Sequence, residues 1–209
     1  MKTVVFDFGA VLFHWQPVEL LQQVLPDLAP DEAAARRLAA DIFQSFHPDS
    51  DWARFDLGTI EVDALAQRIA ARVGTGVEAM RTMIDAVPHH LLPMADSVAL
   101  LHGLKARGYR MCYLSNMPHP YAEHLERSHD IVQQFHDGIF SARVGMIKPR
   151  DEIFHLARQR FGLEPADTVF LDDSAHNIET ARRHGWQAIH FSDAAQARAE
   201  LVAGGWLGD

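Results

Sequence analysis

One cysteine, Cys112, is all that the 209 residues contain. A disulfide framework within the chain and a zinc site built from cysteines are therefore excluded. Cys112 sits in an apolar run, which predicts a buried, inert thiol. Long apolar runs are missing as well. No uncharged stretch approaches the ~20 residues that a membrane span needs. The N-terminal apolar segment 3–13 is short and carries Asp7 in its middle, unlike a secretory signal. A cytoplasmic protein with no membrane partner is expected. Basic charge is scarce: 19 Lys and Arg face 28 Asp and Glu, a formal net charge of −9. The basic face of a nucleic-acid binder is missing, so no nucleic-acid partner is expected. An anionic substrate must find its positive charge locally, on a side chain or a metal. No repeat or low-complexity segment is present. The 13 His include no HExxH pair, and the adjacent His89 and His90 point to different faces of a helix.

What is present is an ordinary globular composition, 48% hydrophobic and 22% charged. Thr3-Val4-Val5-Phe6 is a β-branched and aromatic run ending at Asp7. A continuous apolar run of this kind predicts a strand buried on both faces. Similar runs recur at 109–114, 138–141, 168–171 and 188–191, with helical patterns at 97–107, 121–127, 152–161 and 175–184. Gly108, Gly162 and Gly185 follow three of these helices, at the position favoured for a helix stop. The alternation predicts an α/β fold with a doubly wound parallel sheet.

The first strand is an exception. Roughly ninety residues separate it from the second, far more than a crossover needs. The interval reads helical: Ala34, Leu38, Ile42 and Phe46 recur at four-residue spacing, as do Leu65, Ile69 and Val73, and then Met80, Ile84 and Val87. We expect an all-helical insertion over 14–92, between core segments 1–13 and 93–209. It follows a strand's carboxyl end, where open α/β sheets bind ligands, so a lid is the natural reading.

The strand ends carry the chemistry. Asp7, Ser115 and the pair Asp172-Asp173 converge at one sheet edge, and Lys148 lies in the loop Gly145-Met146-Ile147-Lys148-Pro149. Three gathered carboxylates repel one another unless a cation neutralises them. A hard divalent ion such as Mg²⁺ suits oxygen ligands. The lysine supplies a compact positive charge for an anionic group.

The set Val4-Val5-Phe6-Asp7-Phe8-Gly9, Leu114-Ser115-Asn116, Lys148-Pro149 and Phe170-Leu171-Asp172-Asp173 resembles the haloacid dehalogenase-like hydrolase superfamily. The helical insertion looks like that superfamily's four-helix type of cap on a Rossmann-like core. Phe55-Asp56-Leu57-Gly58-Thr59-Ile60 is similar to a cap turn of the glucose-1-phosphate-phosphatase-like group. The resemblance implies a Mg²⁺-dependent phosphatase acting on a small phosphorylated metabolite, a sugar phosphate or similar. It implies Asp7 as nucleophile, forming an aspartyl-phosphate. It implies Ser115, Asn116 and Lys148 as phosphate contacts, and Asp7, the Gly9 carbonyl, Asp172 and Asp173 around the metal. Asn177 stands one helical turn on and can brace the pair.

One departure stands out. The superfamily's phosphatases usually carry a second aspartate two residues after the nucleophile, as general acid and base, and here that position is Gly9. Loss of such a group typically costs ~10²–10⁴-fold in rate. A good leaving group removes the need for it, or His14, His47 or Asp56 stands in, or catalysis is weak. Two alternatives follow: a metal-independent 2-haloacid dehalogenase, and a non-catalytic binding protein of the same fold. Adjacent Asp172 and Asp173 argue against a carboxylate substrate, and the intact Asp7 and Lys148 argue against a retired site. Trp15, Phe46, Trp52 and Phe55 are candidates for the lid's inner surface or for its own core. A monomer or a homodimer is expected.

Overall fold

A computed structural model of the chain describes residues 2–208. The first strand, β1 (Thr3–Phe6), is buried at all four positions. Its side chains alternate between two cores. Val4 and Phe6 pack with Met111, Tyr113 and Leu171 on one face. Val5 packs with Cys112, Leu114 and Phe170 on the other. Both faces are covered, which is why the run is apolar without alternation.

Six helices follow before the next strand: α1 (Pro17–Val24), α2 (Glu32–Phe43), α3 (Asp51–Asp56), α4 (Val62–Val73), α5 (Val77–His90) and α6 (Ala95–Ala106). Local chemistry starts them. Pro17 occupies the first turn of α1, where its missing N–H costs nothing. Asp31 accepts from Ala34 N at 2.8 Å to cap α2, and Ser50 accepts from Ala53 N at 3.0 Å to cap α3. The chain leaves for this helical segment and returns through one paired crossing. His14 N donates to Leu92 O and Met94 N to Leu12 O, both at 2.9 Å.

The remainder alternates: β2 (Arg110–Ser115), α7 (His119–Ser128), β3 (Asp137–Phe140), α8 (Ser141–Val144), α9 (Asp151–Phe161), β4 (Thr168–Asp172), α10 (Ala175–Arg183), β5 (Gln187–His190) and α11 (Ala194–Ala203). Gly162, at φ +59°, ends α9 with its N–H returned to the helix. The strands form one parallel sheet in the order β3-β2-β1-β4-β5. This is the expected doubly wound α/β fold. The order reverses beside β1, so the carboxyl ends of β1, β2 and β4 open onto one crevice. Among the described residues, no helix is long and apolar enough to cross a membrane.

One expected element changes course. The four-residue spacing from Ala34 predicts a helix through Phe46, but α2 stops at Phe43. Gln44, Ser45 and Phe46 all take left-handed backbone angles, with φ of 49°, 50° and 56°. Gln44 Oε1 accepts from Asp51 N at 2.8 Å and closes this reversal onto the start of α3. The reversal leaves Phe46 51% exposed instead of in the helix core.

Candidate active site

Asp7 extends the ladder one step past β1, its N–H donating to Leu171 O at 2.9 Å. The chain then curls tightly: Leu12 N and Phe13 N both donate to Phe8 O, at 2.9 and 2.7 Å. The curl brings Phe8 N to within 2.7 Å of Asp7 Oδ1 and fixes the carboxylate.

Lys148 arrives from the loop after α8. Its Nζ lies 2.9 Å from Asp7 Oδ1 and 2.6 Å from Asp172 Oδ2, with its side chain 1% exposed. Burial alone pushes an ammonium's pKa down, but the charges of Asp172 and Asp7 outweigh it and hold Lys148 above its ordinary value. The loop is positioned from β2. Asn116 Oδ1 accepts from Lys148 N at 2.8 Å, and Asn116 Nδ2 donates to Lys148 O at 3.0 Å. Ser115, 1% exposed, ends β2 and lines the same cavity.

Oxygens of Asp7, Asp172 and Asp173 all lie within 4.8 Å of one another. Three carboxylates around one ammonium leave two negative charges uncompensated. Burial, with the charges of Asp172 and Asp173, pushes Asp7 up to about 7 against the pull of Lys148. Burial and Asp172 likewise raise Asp173. An all-oxygen set with excess negative charge fits a hard divalent cation. The three acids are not equivalent. Asp172 already accepts from Lys148 Nζ, from Asn177 Nδ2 at 2.9 and 3.0 Å on its two oxygens, and from Ser174 N at 2.8 Å. Asp7 and Asp173 have the freer oxygens. Asn177 thus meets Asp172 as the expected brace.

Above this floor is a cavity of about 530 Å³. Of the three proposed stand-ins for the missing acid, Asp56 lines it and His14 and His47 do not. Burial first, then the charge of Asp7, pushes Asp56 up to about 8, opposed by Lys148. Its carboxylate has no hydrogen-bond partner among the described residues. Its backbone is pinned: Ser141 Oγ donates to Asp56 O at 2.5 Å. Two residues on, Gly58 has φ +72°, and a β-carbon there would meet His119 Nε2 at 3.0 Å and Ala142 O at 3.1 Å. Only glycine lets the end of α3 dock this closely on the sheet domain's helices. Sequence reasoning overlooked Ser141 and also His176, which lines the cavity at the start of α10. Its place beside Asp173 and Ser174 was the available signal.

A family model for haloacid dehalogenase-like hydrolases matches residues 1–185. The chain belongs to this family. A sesquiterpene phosphatase from Aspergillus oryzae is 29% identical over 201 residues, covering 96% of this haloacid dehalogenase-like hydrolase and 94% of the relative. A family enzyme from Bacteroides thetaiotaomicron, solved with magnesium and inorganic phosphate, superposes with a TM-score of 0.68 at 21% identity, over 92% of this chain and 94% of that one. The L-2-haloacid dehalogenase of Xanthobacter autotrophicus, with chloropropionic acid covalently bound, superposes at 0.68 and 18% identity, over 99% and 84%. These two structures share the fold; family membership makes the chain a hydrolase.

Proposed function

We propose that this haloacid dehalogenase-like hydrolase is a Mg²⁺-dependent, cytoplasmic phosphatase of a small phosphorylated metabolite, working through an aspartyl-phosphate on Asp7. The observation that carries this reading is the buried Lys148 ammonium between Asp7 and Asp172, with Asp173 alongside. Segments 1–13 and 93–209 serve as the core and 14–92 as a cap, joined at the paired crossing of His14 with Leu92. Asp7, Asp173 and the Gly9 carbonyl would hold Mg²⁺, which would supply positive charge to the phosphoryl oxygens. Asp172 holds Lys148 in place. Asp7 attacks phosphorus, and the alcohol leaves with its oxygen. Lys148 and the Ser115 hydroxyl stabilise charge on the transferring group. Asn116 fixes the lysine loop, with its second amide N–H left for phosphate. Asp56, protonated at neutral pH, donates the leaving group's proton and then takes one from the attacking water. Water hydrolyses the acyl phosphate and returns Asp7.

The dehalogenase alternative fits less well. Asp173 adds negative charge beside Asp7, where the carboxylate of a haloacid would have to lie. The relative matched across nearly its whole length is named a phosphatase.

Phosphate release from a panel of phosphomonoesters, with and without Mg²⁺, tests the reading. Turnover that requires Mg²⁺ and disappears in Asp7→Asn is expected. Chloride release from 2-chloropropionate in the presence of EDTA would replace it with the dehalogenase reading.

A further inference from the structure

The floor of the cavity is charged, whereas much of its wall is apolar. Away from the floor the apolar wall is formed by Trp15, Phe46, Trp52, Val87, Leu91 and Tyr121. The Trp15 ring packs against Phe43 and Phe46, with centroids 5.4 and 6.3 Å apart, so the aromatic groups support one another. Two polar groups in the walls are already engaged, and the Asp56 carboxyl is the one that the proposed reaction uses as its proton donor. Tyr121 donates its hydroxyl to Ile84 O at 2.7 Å and offers the cavity only its ring. The Ser50 hydroxyl caps α3.

Charge narrows the ligand further. Lys148 is the sole lysine or arginine among the lining residues, and Asp7 and Asp172 both engage it. No second lysine or arginine lines the cavity to meet a second phosphate or a carboxylate. A sugar's hydroxyls, carried against Trp15, Phe46, Trp52, Val87 and Leu91, would lose water without gaining partners on those side chains, and each unpaired hydroxyl is costly to bury.

We infer that the substrate is a phosphomonoester of an apolar alcohol: one phosphate on the floor and a hydrocarbon body against Trp15, Phe46 and Tyr121. This rests on the phosphatase reading and narrows its small phosphorylated metabolite to a hydrocarbon ester.

The test uses the full chain with Mg²⁺ and two matched series. The first is hydrolysis of n-alkyl phosphates from ethyl to decyl, beside glucose 6-phosphate and glycerol 3-phosphate. The second is calorimetric binding of the corresponding n-alkylphosphonates, which cannot be hydrolysed. We expect kcat/KM and phosphonate affinity to rise about 2–4-fold per methylene until the cavity is filled. The two hydroxylated esters should do no better than ethyl phosphate. Phe46, half exposed, can be replaced with little risk to the core, and Phe46→Ser should flatten both slopes. Esters hydrolysed with a flat chain-length profile, or a preference for glucose 6-phosphate, would overturn the inference and leave the phosphatase reading standing. No turnover of any ester, with phosphonates still binding more tightly as they lengthen, would overturn the phosphatase reading and keep the apolar pocket.

Discussion

Oδ1 of Asp7 and Nζ of Lys148 are 2.9 Å apart in a pocket that exposes 1% of the lysine side chain. The same ammonium holds Asp172, which is 0% exposed. Removing the lysine strands two buried carboxylates. Lys148→Met should therefore lose on the order of 3–5 kcal/mol of stability without metal, the cost of breaking a buried pair from one side. Mg²⁺ should recover part of that loss. Turnover should fall by at least about 100-fold, the scale of removing one stabilising group from a developing charge. Thermal melts with and without Mg²⁺ check the first claim and phosphate release the second. Unchanged melting in the absence of metal would show the pair to be dispensable.

Metal binding should depend on pH through Asp7. Burial and its acidic neighbours raise this carboxyl to about 7, well above the ordinary carboxylate range. At pH 6 most of the metal-free protein carries a proton on Asp7, which Mg²⁺ must displace. Apparent Mg²⁺ affinity should rise through pH 6 to 8 and then level off. Calorimetry at pH 6 in buffers of differing ionisation enthalpy should register close to one proton released per Mg²⁺, falling towards zero at pH 9. A release that does not change with pH would remove Asp7 from the metal's ligands.

Much of this site was legible because parallel strands buried on both faces must stop at a polar residue. Asp7, Ser115 and Asp172 each mark such a stop, and the strand order brings them together. Asn116 was found but its geometry was not. Its partners are the backbone atoms of Lys148, 32 positions away, and no local pattern encodes that clamp. The reversal at Gln44–Phe46 was also hidden. Three consecutive left-handed residues without glycine have no sequence signature, and the apolar spacing continued through them. Asp56 could only be one of three candidates until the docking of Gly58 on His119 and Ala142 showed what holds it over the cavity.

Asp56→Asn should separate a proton donor from a structural acid. The loss should be about 10²–10⁴-fold for an alkyl phosphate, whose alcohol needs a proton to leave. It should be under about tenfold for p-nitrophenyl phosphate, whose phenolate leaves unaided. Stability should move the other way. An acid raised from 3.8 to about 8 stabilises the folded chain fully below pH 3.8 and loses that contribution as pH rises through 8. The melting temperature of Asp56→Asn should exceed the parent's by an amount that widens from pH 5 to 9, reaching at least about 2 °C. Equal losses on both esters would assign Asp56 a structural role.

Gly9 offers the reciprocal experiment. A β-carbon built there meets only Trp15, at 3.8 and 3.9 Å, which is ordinary contact, and the backbone is not in the left-handed region. Nothing in the local geometry demands glycine, so Gly9→Asp should fold. If Asp56 already supplies the proton, an aspartate at position 9 gains little in the parent. In the Asp56→Asn background it should restore at least about tenfold of alkyl phosphate turnover, within the range of a positioned acid, and leave p-nitrophenyl phosphate nearly unchanged. A double variant no faster than Asp56→Asn on the alkyl ester would mean that proton transfer does not limit this reaction.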